Sequence, residues 1–87
     1  MAEKITYQST VIFADVAGSS RLYKKVGDRE ANRMILELLD HIAEIVRQHD
    51  GVVIKTIGDE IMAHIVNADK AHSAVVGMQQ YAQQSLP

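Results

Sequence analysis

The sequence predicts a mixed chain, α/β in content and α+β in arrangement, with elements in the order β, α, α, β, β, α. Three observations carry that order. Val11-Ile12-Phe13-Ala14 is an unbroken apolar run with β-branched weight, residues 29–49 carry an apolar stripe at spacings of three and four, and two β-rich runs are separated only by Gly58 and Asp59.

The first strand is read over residues 6–16, because a turn signal follows at Ala17-Gly18, and an apolar run of this kind predicts a strand covered on both faces. Ser19 or Ser20 can cap a short helix over 19–26 through Leu22, Tyr23 and Val26, and Gly27 closes it. Asp28 opens the next helix, over 29–49, where Ala31, Ile35, Leu38, Ile42, Ile45 and His49 share one side and Arg33, Glu37, Asp40, Glu44 and Arg47 lie largely elsewhere. Asp50-Gly51 ends it. Val52 to Ile57 and Glu60 to Val66 form a hairpin over 52–66, and Asn67 or Asp69 caps a last helix over 68–84 with Ala71, Ala74, Val75, Met78 and Tyr81 or Ala82 inward.

Composition limits the functions available. The chain has 87 residues, 47% of them hydrophobic and 23% charged, with no cysteine and a formal net charge of -2. A chain this short buries about 60 to 65% of its unfolded surface, which supports one modest core. Without cysteine there is no thiol nucleophile and no Cys-ligated zinc. Nine Lys and Arg against 11 Asp and Glu give no basic field for nucleic acid or an anionic membrane. The apolar runs are too short to span a bilayer, and the N-terminus lacks the pattern of a secretory signal, so a cytoplasmic location is expected.

The element order has a geometric consequence. A helical crossover makes the first and second strands parallel, so the end of the first strand and the turn leaving the second lie at one edge of the sheet. Asp15 and Asp59 occupy those two places. Singly, each is an ordinary turn aspartate that bonds its own backbone. Together, two carboxylates at one edge repel unless a cation joins them, and an all-oxygen ligand set suits Mg²⁺ or Mn²⁺. Between them Ala17-Gly18-Ser19-Ser20 offers backbone N–H groups at a helix start, where a polyphosphate is favourably received.

The block Phe13-Ala14-Asp15-Val16-Ala17-Gly18-Ser19-Ser20, followed by Gly51-Val52-Val53-Ile54-Lys55-Thr56-Ile57-Gly58-Asp59-Glu60-Ile61-Met62-Ala63, resembles the first half of the class III adenylate and guanylate cyclase catalytic domain. The resemblance runs from Ser9 to about Gln80. It implies a ferredoxin-like, palm-type fold segment without its later strands, so that residues 1–87 form a partial cyclase domain. It implies that Asp15, Asp59 and the main-chain carbonyl of Val16 bind two Mg²⁺ or Mn²⁺ ions. Ala17, Gly18, Ser19 and Ser20 would hold the triphosphate, and Lys55 would meet the purine edge. An ammonium only donates, which suits acceptor atoms of adenine and favours ATP over GTP. The implied reaction, in the complete domain, is attack of the ribose 3′-hydroxyl on the α-phosphorus, giving cyclic AMP and pyrophosphate for signalling.

The same resemblance marks what these residues lack: a further strand, the second base-selecting residue, and a helix bearing an asparagine and an arginine. The 87-residue chain alone is therefore expected to be inactive, with no catalytic residue beyond its metal ligands. The alternative is a non-catalytic cyclase-like module that binds nucleotide or dimerises. Gly58-Asp59-Glu60 is also similar to the diguanylate cyclase hairpin, although Glu60 replaces a small residue of the class III pattern and Ile61 stands where that hairpin has Phe. With the fourth strand missing, the outer edge of the first strand is expected to be open, predicting a homodimer, a strand-paired or swapped oligomer, or marginal stability.

The remaining features read as structural. His41, His49, His64 and His72 show no zinc spacing, the tyrosines form no stacking platform for bases, and Met34, Met62 and Met78 are expected in the core. Lys24, Lys25, Arg29 and Arg33 form a solvated face, and Glu44 with Arg47 is an ordinary helix-surface pair.

Overall fold

A computed structural model describes residues 10–16 and 19–85. Its elements are β1 (Thr10–Asp15), α1 (Ser19–Val26), α2 (Asp28–Gln48), β2 (Val52–Ile57), β3 (Glu60–Ile65) and α3 (Ala68–Ser85). The order is the predicted β-α-α-β-β-α, and the fold is mixed α+β with a sheet of three antiparallel-paired strands, consistent with part of a palm-type fold. Residues 6–9 of the predicted first strand lie outside the described residues. Among the described residues no helix is long and apolar enough to cross a membrane.

β3 is the central strand, in the order β1-β3-β2, and pairs antiparallel with both neighbours. β1 and β2 therefore run parallel without touching. The outer edge of β1 has no strand partner among the described residues, as expected where the resemblance implies a missing fourth strand.

Helices α2 and α3 pack on one face of the sheet, and α1 packs against α2. Beneath them lie Ile12 from β1 and Ile61, Ala63 and Ile65 from β3. These meet Ala31, Ile35, Leu38, Leu39, Ile42 and Val46 of α2, and Ala71, Ala74 and Met78 of α3. The buried side of α2 is broader than the predicted stripe, adding Leu39, Ala43 and Val46, whereas Ile45 and His49 are half-buried.

The expectation that β1 is covered on both faces is incorrect. Val11 is 48% exposed and Phe13 64% exposed, because both long helices cover the same face and leave the other open. Met62 is likewise on that open face, half-buried, and only Met78 of the three expected core methionines is fully buried.

The element ends follow local chemistry. Gly27 takes φ 86° and donates its N–H to the carbonyl of Tyr23, closing α1. Asn67 caps α3, its side-chain oxygen accepting the Lys70 N–H at 2.9 Å. α2 ends in a Schellman motif: Gly51 N–H donates to Val46 O at 2.8 Å and Asp50 N–H to Arg47 O at 3.1 Å. The left-handed residue is Asp50, at φ 58°. Gly51 serves a different need, since a Cβ there would lie 2.6 Å from Ile65 and 2.7 Å from Val46 side-chain atoms. Asp50 is also tied across to Lys70 at the start of α3 by an ion pair.

Candidate metal and nucleotide site

The register fixes what stands at the hairpin edge of the sheet. Asp15, the last residue of β1, lies directly opposite Glu60, and Glu60 in turn lies opposite Ile57. The hairpin turn is Gly58-Asp59, with Gly58 at φ 56°, a conformation glycine adopts without a Cβ penalty. Val16 then donates its N–H to the carbonyl of Asp59 at 3.4 Å. The end of β1 and the hairpin are thus joined by backbone pairing, bringing Asp15, Val16 and Asp59 to one corner. The Val16 side chain is buried in the core, which holds the chain at this point.

Asp15 is exposed and Asp59 half-buried. Among the described residues, neither carboxylate forms an ion pair or accepts a side-chain hydrogen bond. The donor set of two carboxylates and a nearby main-chain carbonyl has the hard-oxygen character that Mg²⁺ and Mn²⁺ require. No group of three or more His, Cys, Asp or Glu side chains gathers to hold a metal among the described residues. Ser19 and Ser20 open α1 just beyond this corner. Ala17 and Gly18, the other two residues of the expected phosphate turn, lie outside the described residues.

Lys55 reaches the open face through an irregularity that sequence reasoning missed. Val52 is opposite His64 and Val53 opposite Ala63, yet Lys55 rather than Ile54 is opposite Met62. Ile54 is the extra residue of a β-bulge. In a regular strand Lys55 would share the helix-covered face with Val53; the bulge shifts the alternation, so Lys55 and Ile57 join Val52 on the open face. The sequence signal was present in Val52-Val53-Ile54, which does not alternate.

On the open face Phe13, Lys55, Ile57, Glu60 and Met62 line a depression of about 320 Å³. A larger groove, about 560 Å³, runs under the free edge of β1 between Leu38, Leu39, Ile42, Met78 and Ala82. Its lining is mainly apolar, includes Asp15 and Val16 at the end of β1 together with Gln79 and Gln83, and holds no cationic residue.

Residues 1–85 match the adenylate and guanylate cyclase catalytic domain family. The chain belongs to that family. No curated protein matches it. Membership ties the chain to nucleotide cyclase chemistry, and nucleotide binding, dimerisation and use of Mg²⁺ or Mn²⁺ are general to such domains.

The histidines are structurally employed or dispersed. His41 stacks on Tyr81 with ring centroids 4.2 Å apart, tying α2 to α3. His49 donates from Nδ1 to the Ile45 carbonyl at 2.7 Å. On the solvated side of α2, Arg33 pairs with both Glu30 and Glu37, and Arg47 with Glu44. The Arg33 guanidinium holds the Glu30 carboxyl below the usual carboxylate range, and the two carboxylates raise the pKa of Arg33 in return.

Proposed function

We propose that this chain is the metal- and nucleotide-binding half of a class III nucleotide cyclase, whose complete form converts ATP to cyclic AMP and pyrophosphate as a homodimer in cytoplasmic signalling. The observation that carries the proposal is the joined corner, where Val16 N–H meets the Asp59 carbonyl and Asp15 stands opposite Glu60. It supplies two carboxylates with no competing cation among the described residues.

Asp15, Asp59 and the carbonyl of Val16 would hold the divalent ions, which when bound favour ionisation of the ribose hydroxyl and offset charge on the departing pyrophosphate. The chain's own contribution is positional. The backbone amides at Ala17 to Ser20 receive the triphosphate at the start of α1, where the helix dipole favours negative charge. Lys55 donates to an acceptor atom of the base, turning the ribose toward the aspartate corner. Substrate is thus fixed at both ends, which lowers the entropic part of the barrier to cyclisation.

The test is Mn²⁺ binding to the full chain in the presence of ATP, followed by electron paramagnetic resonance. Asp15→Asn and Asp59→Asn should each weaken the ternary complex by roughly tenfold or more. Unchanged Mn²⁺ affinity in both folded variants would overturn the assignment.

A further inference from the structure

The sheet has two outer strands, and their edges differ. β2 carries a bulge at Ile54 and a lysine at Lys55, two features that discourage another strand from pairing with an edge. β1 follows β3 from Thr10 to Asp15 without a shift, has no proline or lysine, and holds its one charge, Asp15, at its end. Val11 and Phe13 on it are exposed apolar residues.

The register shows what that edge offers. Val16 N–H donates to the Asp59 carbonyl, the step that follows Asp15 opposite Glu60 in the same ladder. Backbone groups alternate in direction along a strand, so Ala14, Ile12 and Thr10 also direct their N–H and C=O groups at β3. Val11, Phe13 and Asp15 direct theirs to the outer edge, where no strand bonds them among the described residues.

Such an edge is complementary to itself. Two copies related by a two-fold axis at their β1 strands pair antiparallel, and opposed residues then share a face of the sheet. Only registers that oppose odd-numbered residues to odd-numbered ones bring edge-facing groups together, and these same registers join helix-covered face to helix-covered face. Centring the pair on Ile12 sets Val11 against Phe13 of the second copy, each such pair exchanging both backbone hydrogen bonds, and sets Ile12 against itself. The Asp15 carboxylates then lie at opposite ends, roughly 20 Å apart at about 3.4 Å per residue, so like charges do not meet. Centring on Phe13 instead sets each Asp15 against an apolar Val11. The groove of about 560 Å³ under this edge, lined by Leu38, Leu39, Ile42 and Met78, is on the face to which Ile12 of the second copy projects.

We infer that two copies of this chain join through their β1 edges, antiparallel and centred on Ile12, into one continuous sheet with the long helices of both on one face. The inference names an interface and does not depend on the nucleotide reading, since the pairing leaves the aspartate corner open.

Sedimentation of the full chain should give a species of twice 9.6 kDa that dissociates on dilution. Val11→Pro removes an N–H that faces the edge and none that bonds β3, so the chain should stay folded with its dimer at least about tenfold weaker. Hydrogen exchange needs no variant: the Val11 and Phe13 amides should be protected in the dimer and exchange freely on dilution, while those of Ile12 and Ala14 stay protected in both. Because the chain has no cysteine, Ile12→Cys reports the register: it should close a disulfide between copies, and Ala14→Cys should not. A chain still monomeric at about 0.1 mM, an undiminished dimer in Val11→Pro, or free exchange at Val11 and Phe13 within the dimer would overturn the edge pairing. A disulfide from Ala14→Cys and none from Ile12→Cys would overturn the register.

Discussion

The two faces of β3 are built from alternate residues of one six-residue strand and live in opposite environments. Ile61, Ala63 and Ile65 are 1% exposed or less, held under α2 and α3. Glu60, Met62 and His64, between them, face the side that carries no helix among the described residues. On that side Phe13, Val52 and Ile57 remain at least 60% exposed, beside Asp15, Lys55 and Glu60. One face is aliphatic throughout and closes a core. The other mixes exposed apolar side chains with charges, the character of a surface that receives a ligand or partner. The covered and the exposed side are thus separated by the thickness of a strand, and substitutions one residue apart test different properties.

The largest contrast is between Ile61→Ala and Phe13→Ser. Removing Ile61 leaves a cavity beneath both long helices and should destabilise the chain by about 3 to 4 kcal/mol in urea unfolding. Phe13→Ser, on the open face, should change stability by less than about 1 kcal/mol while weakening adenine-nucleotide binding. Equal stability losses would break the distinction between the faces. Gly51→Ala comes next, at about 1 to 3 kcal/mol, because the new methyl meets Ile65 and Val46 where the covered face joins the end of α2. A neutral result would show that Val46 and Ile65 shift at little cost.

The smallest effect belongs to the solvated rim. The Lys70 ammonium holds the Asp50 carboxyl below its ordinary value. A depressed folded-state pKa gives stability that is present above the unfolded value near 3.8 and lost as the pH falls through the lower folded value. Asp50→Asn keeps a residue tolerant of the left-handed conformation and removes only the charge. It should lower the melting temperature slightly at neutral pH and low salt, with the difference closing in acid and in high salt. A constant difference across pH would assign the effect to the turn instead of the ion pair.

Much of this architecture was legible in the sequence because it rests on local chemistry. The stripe in α2, the Gly27 boundary, the Asn67 cap and the two-residue hairpin each depend on a few neighbouring residues. The approach of Asp15 to Asp59 was legible too, since the element order constrains the direction of the strands. What escaped was set by partners distant in sequence. The run Val11 to Ala14 looked covered on both sides because composition cannot tell that α2 and α3 choose the same face. Asp50-Gly51 signalled a helix end, but only packing against Ile65 shows that the glycine is needed for room and that Asp50 supplies the left-handed turn. Glu60 read as a departure from a pattern until the register put it beside the Lys55 depression.

The bulge at Ile54 makes the orientation of Lys55 a matter of counting as well as of chemistry. Two of the residues lining the depression, Lys55 and Ile57, owe their orientation to one unpaired residue upstream. Any substitution at Ile54 that preserves the bulge leaves them facing outward, whatever side chain it introduces. A regular strand of the same length, with Ile54 opposite Met62, would turn Lys55 toward the helices and erase the cationic side of the depression without altering the lysine itself. In this hairpin, the register of a strand decides which face a side chain joins as surely as the identity of that side chain.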